Sequence, residues 1–181
     1  MPVQGQGFEF HLNRIRTERR ASDGKVRTVG QYVIYHDGVG QPLRGMAVET
    51  RGPGDNAHRG NNRRVEAGRY PLFTQDGEHY VTIGYKVATS ARTIPKPGLL
   101  LGSTDRRVGI LIHPGVGFLS SVGCINPTRQ LSGPTRLMDF VESRDRVIAI
   151  INDVQAYSGT AFPRSNGKRI PNAWIVIDGE P

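Results

Sequence analysis

Glycine and proline punctuate this 181-residue chain from end to end, with 23 of the first and 12 of the second. Glycine weakens helix interiors and proline breaks them, so this density excludes a helix bundle and favours short strands joined by many turns. Apolar patterning agrees. Phe8, Phe10 and Leu12 alternate with Glu9, His11 and Asn13, the period-2 mark of a half-buried strand. Val29–His36 reads as a second strand, and Asp37-Gly38 before Leu43–Glu49 predicts a hairpin. Gly52–Arg64 is polar and predicts an exposed loop. Val65–Phe73 enters a strand through Ala67-Gly68-Arg69-Tyr70, and His79–Val87 predicts another. Thr93–Leu101 carries two prolines and predicts a connection. Val108–His113, Arg146–Asn152 and Ala173–Ile177 complete the strand set. Helix signals gather at one place: Pro134 after Ser132-Gly133 suits a first helical turn, with Leu137, Met138 and Val141 on one face. The expectation is a mostly-β sandwich or partly closed barrel, with one short helix within Gly133–Ser143.

The length suits a single domain spanning residues 1–181, large enough to bury a core without metal or disulfide. The lone Cys124 rules out an intramolecular disulfide and a cysteine-based zinc cluster. The longest apolar run, Val147–Ile151, is far too short to cross a membrane as a helix, so no membrane insertion is expected. Met1–Gly7 lacks a basic segment and an apolar segment, so no secretory signal peptide is expected. The formal net charge of +8 favours a polyanionic partner: nucleic acid, an anionic surface or an acidic wall polymer. The basic residues are dispersed over Arg14–Arg20, Arg59–Arg64 and Arg106–Arg107. With no recognition motif and 7% aromatic residues, nucleic acid is not the expected partner.

One stretch carries chemistry. Ile110-Leu111-Ile112-His113 ends an apolar strand at a histidine, and Cys124 follows eleven residues later in Ser121-Val122-Gly123-Cys124. Gly115, Gly117 and Gly123 let the intervening loop fold back and bring the two side chains together. A thiol of ordinary pKa is mostly protonated at neutral pH and needs a base such as imidazole to become a nucleophile. Backbone N–H groups around Gly123 and Cys124 suit a developing oxyanion. A lone cysteine is also a common small buried hydrophobe, and a histidine at a strand end is commonly structural. Metal binding is not expected, because no His-x3-His or Cys-x2-Cys spacing is present.

The residues around this pair resemble the catalytic motif of the L,D-transpeptidase family: a histidine, a variable loop, then Ser/Thr-His-Gly-Cys, an apolar residue and Asn or Arg. Ser121-Val122-Gly123-Cys124-Ile125-Asn126 fits except at Val122. Glu66-Ala67-Gly68-Arg69-Tyr70 resembles the strand entry upstream of the family's histidine. Pro134–Val141 and Arg146–Asn152 stand where the family has a helix and then a strand. The core of the resemblance spans about residues 66–152, with Phe8–Glu49 as leading strands. The short His-to-Cys loop is similar to compact variants, an uncharacterised phage and bacterial family and type VI secretion effectors. In the family the residue at Val122 is a histidine acting mainly through main-chain atoms, which valine also supplies.

The resemblance implies a peptidoglycan-modifying cysteine acyltransferase, L,D-transpeptidase or L,D-carboxypeptidase in type, without a cofactor. Cys124 would attack the carbonyl between stem residues three and four, with His113 as base and then acid. Gly123, Ser121 and Val122 would support the loop and oxyanion, and Ser120 and Asn126 would contact substrate. Arg51, His58, His79 and Tyr80 are further pocket candidates. The implied partners are peptidoglycan stem peptides, a secretion-system carrier and an immunity protein. The implied setting is synthesis in the cytoplasm and action in the periplasm after non-Sec export or lysis. The competing expectation is a phage or secretion-system binding module that keeps the fold without catalysis.

Overall fold

The computed structural model describes residues 4–181; Met1–Val3, part of the segment read above for a leader, lie outside the described residues. Three long strands open the chain: β1 (Phe8–Arg19), β2 (Val26–His36) and β3 (Val39–Thr50). They form an antiparallel meander. Asp37 and Gly38, at φ 48° and 81°, make the tight β2–β3 turn, the left-handed pair that matches strand twist. The later strands are β4 (Gly68–Thr74), β5 (Tyr80–Val81), β6 (Lys96–Pro97), β7 (Leu99–Leu101), β8 (Leu111–Ile112), β9 (Asn126–Thr128) and β10 (Arg169–Asp178).

Eight strands form one sheet in the order β8-β7-β4-β10-β1-β2-β3-β9, and β5 pairs with β6 apart from it. The two edges of the large sheet meet at a parallel bridge between Ile112 and Ile125. The result is a nearly closed barrel-like sheet, which removes the exposed-edge liability of an open one. Phe8, Phe10, Leu12, Ile34, Leu72, Leu99, Ile175 and Ile177 are fully buried inside it.

One α-helix, α1 (Phe140–Ser158), packs against this core. It begins inside the expected Gly133–Ser143 segment, taking in Val141, but runs on to Ser158 and absorbs Arg146–Asn152, which is therefore not a strand. Val147, Ile150, Ile151 and Val154 recur at helical spacing and are all buried, so the apolar run is a helix stripe rather than a two-sided strand. Asp139 caps the helix, and Pro134 lies ahead of it: the Asp139 carboxylate accepts from Glu142 N–H at 2.8 Å. Of the residues proposed to anchor the helix, Met138 is buried ahead of it and Leu137 is 51% exposed. Two further expectations change. His79–Val87 yields only the two residues of β5, because Gly84 at φ 85° turns the chain. The Thr93–Leu101 connection contains β7, whose leucines pair with β4.

Buried charge fixes one end of the barrel. Arg14 donates bidentately to Glu49 at 2.7 and 2.8 Å and also to the Val65 carbonyl. Arg64 donates to Glu180 at 2.7 Å, while Asn56 Nδ2 donates to Tyr70 Oη at 3.0 Å. These contacts hold the 52–66 loop against the sheet, with Arg59 left exposed at its tip. No helix among the described residues is long and apolar enough to cross a membrane.

Candidate active site

The barrel's closing seam carries the candidate pair. His113 N–H donates to the Ile125 carbonyl at 3.0 Å, and Ile125 N–H donates to the Leu111 carbonyl at 2.8 Å. Side chains alternate along extended chain, so Cys124 and Asn126 flank Ile125 on one face, as Leu111 and His113 flank Ile112. One side-chain contact supports that shared face, and a main-chain N–H holds the Cys124 sulfur at the seam. Asn126 Nδ2 lies 3.3 Å from His113 Nδ1, and Cys124 Sγ accepts from Leu111 N–H at 3.4 Å.

His113 is held on every side. Its Nδ1 is 2.8 Å from the Pro114 carbonyl; a carbonyl only accepts, so Nδ1 carries the proton and Nε2 keeps its lone pair. Asn126, fully buried, donates to the His113 carbonyl at 3.0 Å. The Tyr80 ring lies over the imidazole at a centroid distance of 4.4 Å. Burial lowers the His113 pKa to about 4, with the nearby Lys96 charge adding to the effect and the Pro114 contact opposing it. The ring is neutral at pH 7, the form a general base requires.

Cys124 is half-buried and lines a cleft of about 450 Å³ together with Arg59, Arg107, Val108, Ile110 and Val122. Its thiol points toward the Gly109 carbonyl at 3.7 Å. Burial pushes the thiol pKa up, against the pull of the Leu111 N–H and the Arg107 charge. In this resting geometry the sulfur is a thiol bound to backbone groups, and no Cys124–His113 hydrogen bond is present among the described residues.

Gly123 is required by its neighbour: a Cβ there would lie 2.0 Å from Arg107 Nη2. Arg107 is 6% exposed and donates to the carbonyls of Arg63 at 2.6 Å, Asp55 at 3.3 Å and Val122 at 3.5 Å. It thereby ties the 52–66 loop to the cysteine turn. Ser121 Oγ lies 3.0 Å from the Cys124 carbonyl and 3.1 Å from Asn126 Oδ1. The N–H groups of Gly123 and Cys124 donate to no other group among the described residues, which leaves them open to an oxyanion at the cleft.

Gly123, Ser121 and Val122 line the cleft beside Cys124. Asn126 and Ser120 do not line the cleft, and neither do His113, which is buried behind Cys124, and Tyr80. Asn126 is fully buried: its Nδ2 donates to the His113 carbonyl and its Oδ1 accepts from Ser121 Oγ. Of the further pocket candidates, Tyr80 is in the site. His58 bonds to Asp55 at the surface, His79 is exposed, and Arg51 lines a separate cavity beside Glu180. Sequence reading missed Pro114 as the tautomer-fixing acceptor and Arg107 as the brace. The only available signal for Arg107 was its place in a basic pair. No cluster of His, Cys, Asp or Glu suited to a metal occurs among the described residues.

Comparison with family models, curated proteins and solved structures found no match to this chain. Its chemistry therefore rests on the site itself.

Proposed function

We propose that this protein is a peptidoglycan-modifying cysteine acyltransferase of the L,D-transpeptidase or L,D-carboxypeptidase type. The observation that carries the reading is a neutral imidazole, with Nδ1–H fixed on Pro114, on the same face of the barrel seam as a cysteine that opens to a cleft. Because the thiol is protonated at rest, proton transfer accompanies attack. Cys124 turns from the Gly109 carbonyl, His113 Nε2 takes its proton, and the sulfur bonds to the carbonyl carbon between stem residues three and four. The oxyanion faces the N–H groups of Gly123 and Cys124. Collapse breaks the C–N bond, His113 returns the proton to the leaving amine, and a thioester remains on Cys124. An amine or water resolves it.

The direct assay is D-alanine release from a disaccharide-tetrapeptide. Cys124→Ala abolishes it, and His113→Ala lowers it by about 10²–10⁴-fold. Equal release by wild type and Cys124→Ala would refute the assignment. A second reading, a binding module that keeps the fold without catalysis, is favoured by the raised thiol pKa and the resting contacts of Cys124. Under it, the wild type turns over no stem peptide.

A further inference from the structure

The cleft beside Cys124 is electropositive by construction. Its lining contains Arg59 and Arg107 and no acidic residue. Arg107 is buried, yet no carboxylate hydrogen-bonds its guanidinium among the described residues; all three of its acceptors are main-chain carbonyls. The nearest acidic side chain on that loop is turned away: Asp55 gives Arg107 its carbonyl, while its carboxylate takes the Ala57 N–H and the His58 ring. Burying a cation without a counterion is costly, and here the cost falls at the mouth of the candidate nucleophile. Arg59, fixed by an Nε–H bond to the Arg106 carbonyl at 2.7 Å, adds a second charge on the same wall. Val108 and Val122, 72% and 64% exposed, supply an apolar flank.

We propose that Arg107 and Arg59 form a carboxylate-binding subsite beside Cys124, suited to a terminal carboxylate carried on a small aliphatic residue. Identifying that group as the leaving amino acid rests on the acyl-transfer reading above; the anion site itself does not. Arg107 and Arg59 supply two charges on one wall of the cleft, and the valines accommodate the side chain. The site makes the enzyme selective for stems that end in a free carboxylate over amidated ones.

Alkylation of Cys124 by anionic iodoacetate and neutral iodoacetamide tests this without any substrate. The ratio of the two rates cancels changes in thiol reactivity. The wild-type ratio is expected to fall on the order of tenfold in Arg107→Gln, less in Arg59→Gln, and little in Arg107→Lys, with 1 M salt flattening the differences. N-acetyl-D-alanine should protect Cys124 from iodoacetamide, and N-acetyl-D-alaninamide should not. Arg59 is exposed, so Arg59→Gln remains informative even where Arg107→Gln does not fold. A ratio insensitive to Arg59→Gln and to salt overturns the proposal, as does a thiol that reacts with neither reagent, or protection by acid and amide alike. A charge-dependent ratio without stem-peptide turnover would keep the anion site and remove the acyl-transfer reading.

Discussion

Ile112 pairs with Ile125 in the parallel bridge that joins the two edges of the sheet, and His113 and Cys124 are the next residues outward on either side. Barrel closure and placement of the candidate pair are thus one event. Both isoleucines are fully buried. Ile125→Ala should cost about 2–5 kcal/mol in urea unfolding, the usual cost of truncating a core isoleucine. It should also change the iodoacetamide reactivity of Cys124, because the seam positions the sulfur. Lost stability with unchanged Cys124 reactivity would uncouple the two.

His113 also makes stability depend on pH. Its folded pKa, about 4, lies below the ordinary value near 6.5 that it regains on unfolding. Between these values the unfolded chain binds more protons, so stability rises with pH. The His113 contribution is intact above about pH 6.5, declines as pH falls toward 4, and is level below that. Its full size is about 3 kcal/mol by the conversion of 1.36 kcal/mol per pKa unit. Urea unfolding between pH 7 and 4 should show this slope in the wild type and lack it in His113→Gln.

The fold was legible where pattern and turn chemistry agree. Phe8, Phe10 and Leu12 alternate, and Asp37-Gly38 has the composition of the left-handed turn it forms. The helix was misread because Val147–Ile151 is a short unbroken apolar run, which fits a buried strand as well as a helix when read alone. The stripe that decides it continues to Val154, and the cap that starts it is Asp139. That the chain folds back to bring the His113 and Cys124 segments to one seam was legible from the glycines between them. Arg107 was not, because its acceptors on Asp55 and Arg63 are 52 and 44 residues away. The burial of Asn126 against His113 was not legible, since sequence does not say which way a side chain faces when the barrel closes.

Gly123 and Arg107 should behave as a coupled pair. Gly123→Ala places a methyl against Arg107 Nη2, so the guanidinium must shift from the Val122 carbonyl and strain its bonds to Asp55 and Arg63. The expected loss is about 1–3 kcal/mol, the scale for leaving buried polar groups unsatisfied. In a double-mutant cycle, the alanine should cost less in the Arg107→Ala background than in the wild type. Additive losses would mean that Arg107 does not brace this turn.

The helix start gives a separate check on the fold. Asp139→Ala should destabilise the protein by about 0.5–2 kcal/mol, as for other lost N-caps. Ser132→Ala should leave thermal unfolding nearly unchanged, since Ser132 is exposed and outside the helix. The reverse ranking would place the helix start at Ser132.

Intact-mass measurement during incubation with disaccharide-tetrapeptide tests Cys124 as an acyl-accepting nucleophile most directly. The thioester predicts a wild-type species heavier by the disaccharide-tripeptide acyl group, mapped to Cys124, lost on hydroxylamine treatment and absent in Cys124→Ala. Wild-type protein whose mass never changes with tetrapeptide or pentapeptide stems, and which releases no D-alanine, would contradict it.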